Sequence, residues 1–142
     1  MHNLLIPCLL MTCLPSVPWA EPVVDADPRT ALGLTDGEKT QFLAEMRQML
    51  ASIQGIVSGM GVEDRDAIAA AARLSGNRMA RATPASVRAK LPQAFKEIGG
   101  PTHLLFEEIA IRAETDDMAD LAILTGETLA QCLACHARFR SD

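Results

Sequence analysis

From Asp117 to Arg140 apolar residues return every three or four positions, and the stripe they form carries Cys132, Cys135 and His136. Leu121, Leu124, Thr125, Thr128, Leu129 and Phe139 share that face. The spacing predicts a helix over about 117–140, with both thiols and the imidazole on its buried side. Asp116 or Asp117 is placed to cap it. A chain that ends this way must provide a surface against which such a helix can pack.

The rest of the chain supplies helices. Thr35 and Glu38 make a capping box, which starts a helix over about 36–60. Phe42, Met46, Met49, Leu50, Ile53, Ile56, Val57 and Met60 give it an apolar face, and Gly61 ends it. Glu63, Asp64 and Asp66 precede the Ala-rich run 67–72, a second helix that frays near Gly76 or continues to Arg81. Pro84 and Pro92 bracket a helical turn, and Gly99-Gly100 closes that segment. Pro101 suits the first position of a further helix over about 101–115, with Leu104, Leu105, Ile109 and Ile111 facing inward. No convincing strand, internal repeat or low-complexity tract is present. The expected fold class is all-α, an antiparallel four-helix bundle over residues 35–142. Residues 21–34, with two prolines and no helical period, read as a leader strand or linker.

Residues 1–20 contain no Asp, Glu, Lys or Arg, and the apolar run Leu4–Leu14 has the length of a signal-peptide core. Ala20 is a small residue suited to cleavage, so the mature chain is expected to begin near Glu21. Cleavage would remove Cys8, Cys13 and Trp19, leaving Cys132 and Cys135 as the only thiols. The formal charge of −5 lies wholly beyond residue 20 and argues against nucleic acid or anionic lipid as partners. No apolar stretch reaches the roughly 18–20 residues of a membrane-spanning helix. After cleavage the aromatics are Phe42, Phe95, Phe106 and Phe139, little bulk for a core that a flat apolar cofactor could complete.

Cys132-Leu133-Ala134-Cys135-His136 is a Cys-x-x-Cys-His haem-attachment motif. On a helix the two sulfurs lie one turn apart, suited to thioethers with the two vinyl edges of one porphyrin. His136, four residues after Cys132, projects on the same face as an axial iron ligand. A disulfide is a competing reading in an oxidising compartment. A thioredoxin-type pair needs a strand-to-helix setting that is missing here. Zinc held by both cysteines, His136 and His103 matches no common ligand spacing. A sixth iron ligand must come from upstream, where Met46, Met49, Met60, Met79, Met118 and His103 are the candidates. For each Met, core packing competes with ligation, and His103, in the first turn of its expected helix, competes as a capping or surface residue.

The ending Cys132 to Phe139-Arg140, the four-helix pattern and the leader together resemble the class II cytochromes c, which include cytochromes c-prime and their six-coordinate relatives. The resemblance implies a periplasmic bundle over about 36–140 with one covalently attached haem c near one end, facing the first helix. In that family a first-helix Met makes a six-coordinate, electron-transferring haem, whereas Leu leaves the iron open to small gases. An Arg-Gln pair often precedes the distal residue, which stands four positions after the Arg. Here Arg47-Gln48 match the pair, but Ala51 stands at that position and cannot ligate. The expected apolar face points instead to Met46, Met49 or Leu50, and Met46 is favoured as the second iron ligand. The resemblance further implies that Arg47 pairs with a haem propionate and that Arg140 lies near the proximal imidazole. The function expected is single-haem electron transfer with redox partner proteins, and a homodimer is compatible with it. The alternative is a five-coordinate module binding nitric oxide or carbon monoxide. A haem enzyme is not expected, since no distal acid–base pair is evident.

Overall fold

The computed structural model describes residues 27–141. The expected signal peptide at 1–20, its cleavage near Glu21, and Cys8, Cys13 and Trp19 lie outside the described residues. The described chain is mostly helical and of the all-α class. Thr35 opens α1 (Asp36–Gly61) through the expected capping box. Its hydroxyl accepts from the Glu38 amide at 3.4 Å, while the Glu38 carboxylate accepts from the Thr35 amide at 2.9 Å. The chain turns where Glu63 takes a left-handed φ of 55°, and the Asp64 side chain caps α2 (Arg65–Arg73) by accepting from the Ala67 amide. Gly59 of α1 faces Ile68 and Gly55 faces Ala71, so α2 returns antiparallel along α1. The small residues let the two helices approach closely. A Cβ added at Gly55 would stand 2.7 Å from the Ala71 Cβ, and one at Gly59 would stand 2.8 Å from Ile68 Cγ1.

Helix α2 ends at Arg73, close to Gly76 as one of the two expected outcomes had it, and two short helices, α3 (Asn77–Ala82) and α4 (Ala85–Lys90), follow, so it does not run on unbroken to Arg81. The next long helix corrects the expectation for Pro101. Helix α5 spans Gln93–Arg112, with Pro92 as its N-cap and Pro101 inside it. An interior proline removes one backbone hydrogen bond and costs about 3 kcal/mol in a helix. Here Pro101 is solvent-exposed, and burial of Phe95, Ile98, Thr102, Phe106, Ile109 and Ala110 on one face carries the helix through. Leu104 and Ile111, expected inside, point to solvent. On α1 the same correction applies to Leu50 and Val57, which are 68% and 52% exposed.

Asp117 caps α6 (Met118–Arg138) by accepting from the Asp120 amide at 2.8 Å. The Arg65 guanidinium donates to the Ala113 and Asp116 carbonyls and so ties the start of α2 to the α5–α6 turn. The expectation of no strand is also corrected. Thr30–Ala31 (β1) pairs in parallel with Phe139–Arg140 (β2), where α6 ends earlier than expected.

Side chains of α1, α2, α5 and α6 build one core, centred on Ile56, Ile68, Phe106, Ile109 and Leu121. A second, smaller core forms at the other end from Leu32, Phe42, Val87, Leu91, Phe95, Ile98 and Phe139. Phe95 lies between Phe42 and Phe139, with ring centroids 5.8 and 5.4 Å away. Met46 packs against both cores.

The Gly55 contact is testable. Gly55→Ala puts a methyl against the Ala71 Cβ, which has no rotamer by which to move. Overpacking of this kind costs about 1–3 kcal/mol, against roughly 1 kcal/mol of helix propensity regained. Thermal melting followed by ellipticity should show a net loss, and Gly37→Ala, where an added Cβ meets nothing within 4 Å, should show none.

Candidate functional site

The inward stripe of α6 changes character along its length. Leu121, Leu124, Thr125 and Thr128 are buried against protein. Beyond Thr128, Leu129 is 39% exposed, Cys132 and Cys135 are half-buried, and His136 is exposed. The expectation that the whole motif is buried is therefore corrected. These four residues line a cleft of about 690 Å³ whose opposite wall is the N-terminal half of α1. Helix α5 contributes Phe95, Lys96, Gly99, Gly100, Thr102 and His103, and Arg88 and Leu91 come from the segment before it. A smaller adjoining cleft of about 340 Å³ shares Phe42, Met46, Phe95, Cys135 and His136, and adds Arg29, Phe139 and Arg140.

Both thiols are free, and the Cys132 thiol donates to the Thr128 carbonyl at 3.5 Å. Burial pushes both thiols above their ordinary range, and at Cys135 the neighbouring Cys132 pushes further. They therefore stay protonated at neutral pH, unlike the lowered thiol of a reactive redox pair. Among the described residues no three His, Cys, Asp or Glu side chains converge to hold a metal ion, so the four-ligand zinc arrangement is not assembled.

Of the candidates for a second axial ligand, Met46, Met49 and His103 line the large cleft. Met60, Met79 and Met118 pack against the larger core. Met49 is itself 9% exposed within that core, whereas Met46 is half-buried at the junction of the two cores. Arg47 and Leu50 line the cleft beside them, and Ala51 points to solvent. Met46, half-buried, and Leu50, largely exposed, thus line the cleft one turn apart, with Arg47 and Met49 between them. Arg140 lines the smaller cleft with His136, and its Nε donates to the Arg29 carbonyl at 3.1 Å.

His103 stands well inside α5 and is not in a first turn as expected. Its Nδ1 lies 2.7 Å from the Ser75 carbonyl oxygen. A carbonyl only accepts, so Nδ1 carries a hydrogen, and Nε2 is the ring nitrogen left to offer a lone pair. Ser75 is fully buried, and its hydroxyl is 2.8 Å from that of Ser52 on α1. Sequence reading also missed Lys96, Gly99 and Gly100 as cleft residues. Lys96, Gly99 or Gly100, and His103 lie at the three- and seven-residue steps of one helical face, a signal visible only if the helix starts near Gln93.

No family model, curated protein or solved structure matches the chain.

Helix α4, which carries Arg88 to the cleft, is pinned to the first turn of α1 by the ion pair between Lys90 Nζ and Glu38 Oε2. The Lys90 ammonium, and then the Thr35 amide and hydroxyl, hold the Glu38 carboxyl down to about 2 from its ordinary 4.5. A lowered carboxyl contributes stability that is present above its ordinary value and is lost as the pH falls through the folded one. Acid titration of ellipticity should therefore show part of the stability disappearing as the pH falls from 4.5 towards 2. Lys90→Gln should shrink that component, lowering the melting temperature at neutral pH but leaving it nearly unchanged once the pH has fallen to about 2.

Proposed function

We propose that the cleft holds one haem c, joined through thioethers to Cys132 and Cys135 and ligated at iron by His136, and that the protein is a periplasmic electron carrier of the class II cytochrome c kind. On this reading α1, α2, α5 and α6 form the antiparallel four-helix bundle, and the charge-free apolar segment 1–20 directs export. The observation that carries the proposal is that Cys132, Cys135 and His136, spaced as an attachment motif, open together onto an apolar cleft between α1 and α6.

The residues present suit such a group. Gly100 lines the cleft, and a Cβ built on it would meet nothing within 4 Å, so that part of the α5 wall is backbone and a flat ring can approach it. Bound there, a haem supplies one-electron exchange between ferric and ferrous iron. The chain's own groups do the rest. Two thioethers would fix the orientation relative to the His136 imidazole and prevent dissociation. Leu50, Leu91, Phe95 and Leu129 exclude water and make the surroundings apolar, which raises the potential by disfavouring the more charged state. Met46 would provide a thioether as second axial ligand, Arg47 would face a propionate from α1, and Arg140 would stand beside the proximal side. Redox proteins are the partners this role requires.

Acid–acetone extraction of the exported protein should leave haem on the polypeptide, and replacing both Cys132 and Cys135 by Ser should release it. Freely extractable haem in the unaltered protein would refute covalent attachment.

His103 gives a second reading of the distal side, because its lone pair on Nε2 belongs to a ring that lines the cleft and is anchored through Nδ1. Optical spectra separate the readings. If Met46 ligates, the ferrous protein should be low-spin and slow to bind carbon monoxide, and Met46→Leu should open the site. Met49→Leu should change the spectrum little, since Met-to-Leu exchange in a core costs below about 1.5 kcal/mol. Opening by His103→Leu alone would replace Met46 with the imidazole. An unaltered protein already high-spin and avid for carbon monoxide would favour the gas-binding module.

A further inference from the structure

The large cleft is walled mainly by apolar side chains, yet the charged residues that line it are unbalanced. Glu45 is the one carboxylate among its lining residues, against Arg47, Arg88 and Lys96. This excess of positive charge occurs in a chain whose net charge is −5. Several other cations are engaged: Lys90 with Glu38, Arg112 with Glu108 and Asp116, Arg73 with Glu114, and Arg65 with two carbonyls. Among the described residues the Arg88 and Lys96 side chains have no hydrogen-bond or ion-pair partner.

Their backbone positions are nevertheless fixed. Arg88 follows Val87, which is 3% exposed, and Lys96 follows Phe95 in the aromatic trio. Leu91, also buried, and Pro92 join the two helices. Two charged heads are thus carried to one side of the cleft on anchored turns. A purely apolar ligand would gain nothing from them. A ligand with a flat apolar body and carboxylates along one edge would use the apolar walls for the body and the cations for the edge.

We propose that Arg88 and Lys96 bind the carboxylates of the tetrapyrrole from the α4 and α5 side of the cleft, completing with Arg47 of α1 a cationic rim that sets which edge of the ring faces outward. This rests on the haem reading of the cleft and extends it to residues on α4 and α5. The rim selects a dicarboxylate over a neutral ring of the same shape before any covalent bond forms.

The experiment uses the full chain with Cys132→Ser and Cys135→Ser, so that binding is reversible, and compares haem with haem dimethyl ester by absorbance titration. Haem should bind at least about tenfold more tightly than the ester, the factor expected of one charge-assisted hydrogen bond. Adding Arg88→Gln and Lys96→Gln should reduce that preference at least about threefold, Arg47 sustaining the remainder, and leave ester affinity unchanged. A preference undiminished by both substitutions, or an equal loss for both ligands, overturns the proposal while keeping the cleft as the haem site. Binding of neither ligand by the helical protein overturns the cleft reading and the rim together.

If the thiol-free chain loses its ellipticity without haem, the covalently loaded protein gives the answer. Removing both cations should make the midpoint potential depend on pH between about pH 5 and 8, because a carboxylate released from its cations regains a proton on reduction. A pH profile identical to that of the unaltered protein overturns the proposal.

Discussion

Helix α2 has nine residues where α1, α5 and α6 have 26, 20 and 21, and the arrangement at the Cys-x-x-Cys-His end follows from that difference. At 1.5 Å per residue, α2 runs about 13 Å beside a helix of about 39 Å. It covers α1 from Gly59, against Ile68, through Gly55, against Ala71, to Ser52, whose hydroxyl meets that of Ser75. The half of α1 before Ser52 has no such neighbour. It carries Phe42, Met46, Met49 and Leu50, and these line the cleft. The close approach of α1 and α2 therefore consolidates one end of the molecule, while the shortness of α2 leaves the other end to α3, α4 and the aromatic trio.

The ends of the helices were legible where a side chain closes a hydrogen bond locally. Thr35 with Glu38, and Asp117, cap at the expected places because the partner amide lies within three residues, and Asp64, expected only as one of three acidic residues at a helix start, caps α2 in the same way. Legibility failed where the deciding contact is distant. Pro101 looks like a helix start in isolation, yet Phe95, Ile98 and Thr102 bury themselves on one face and hold a helix that began two turns earlier. Leu104, Ile111 and Val57 are apolar and helical but exposed, because a period of three or four does not say how wide the buried stripe is. The pairing of Thr30–Ala31 with Phe139–Arg140 joins opposite ends of the described chain, a separation over which local pattern carries no signal.

The candidate site shows the same division. Cys132, Cys135 and His136 were readable because the motif is contiguous and its helix is strongly periodic. The wall opposite them was only partly readable. Met46 and Leu50 line the cleft and Ala51 does not, but Arg88, Lys96 and the paired glycines reach it through the placement of α4 and the true start of α5. His103 changes meaning altogether. Moved from a supposed first turn to the middle of α5, it becomes an anchored imidazole on the cleft wall, joined through Ser75 to Ser52 of α1.

On the proposed reading, this geometry divides the chemistry between two helices of different tolerance. Helix α6 supplies the attachment and the first axial ligand from five consecutive residues, so any shift of register there would disrupt all of them at once. Helix α1 supplies the facing wall from residues one turn apart, Met46 and Leu50, beside an Arg47 that follows the same turn. Exchanging a thioether for a methyl-bearing side chain at one of these positions alters little volume and leaves both cores in place. The same scaffold can therefore present either a sixth ligand or an open iron face, with the choice resting on one side chain of α1 and the polarity of the opposite edge resting on α4 and α5. On that reading the attachment motif would specify the cofactor and leave to α1 whether the protein carries electrons or captures a gas.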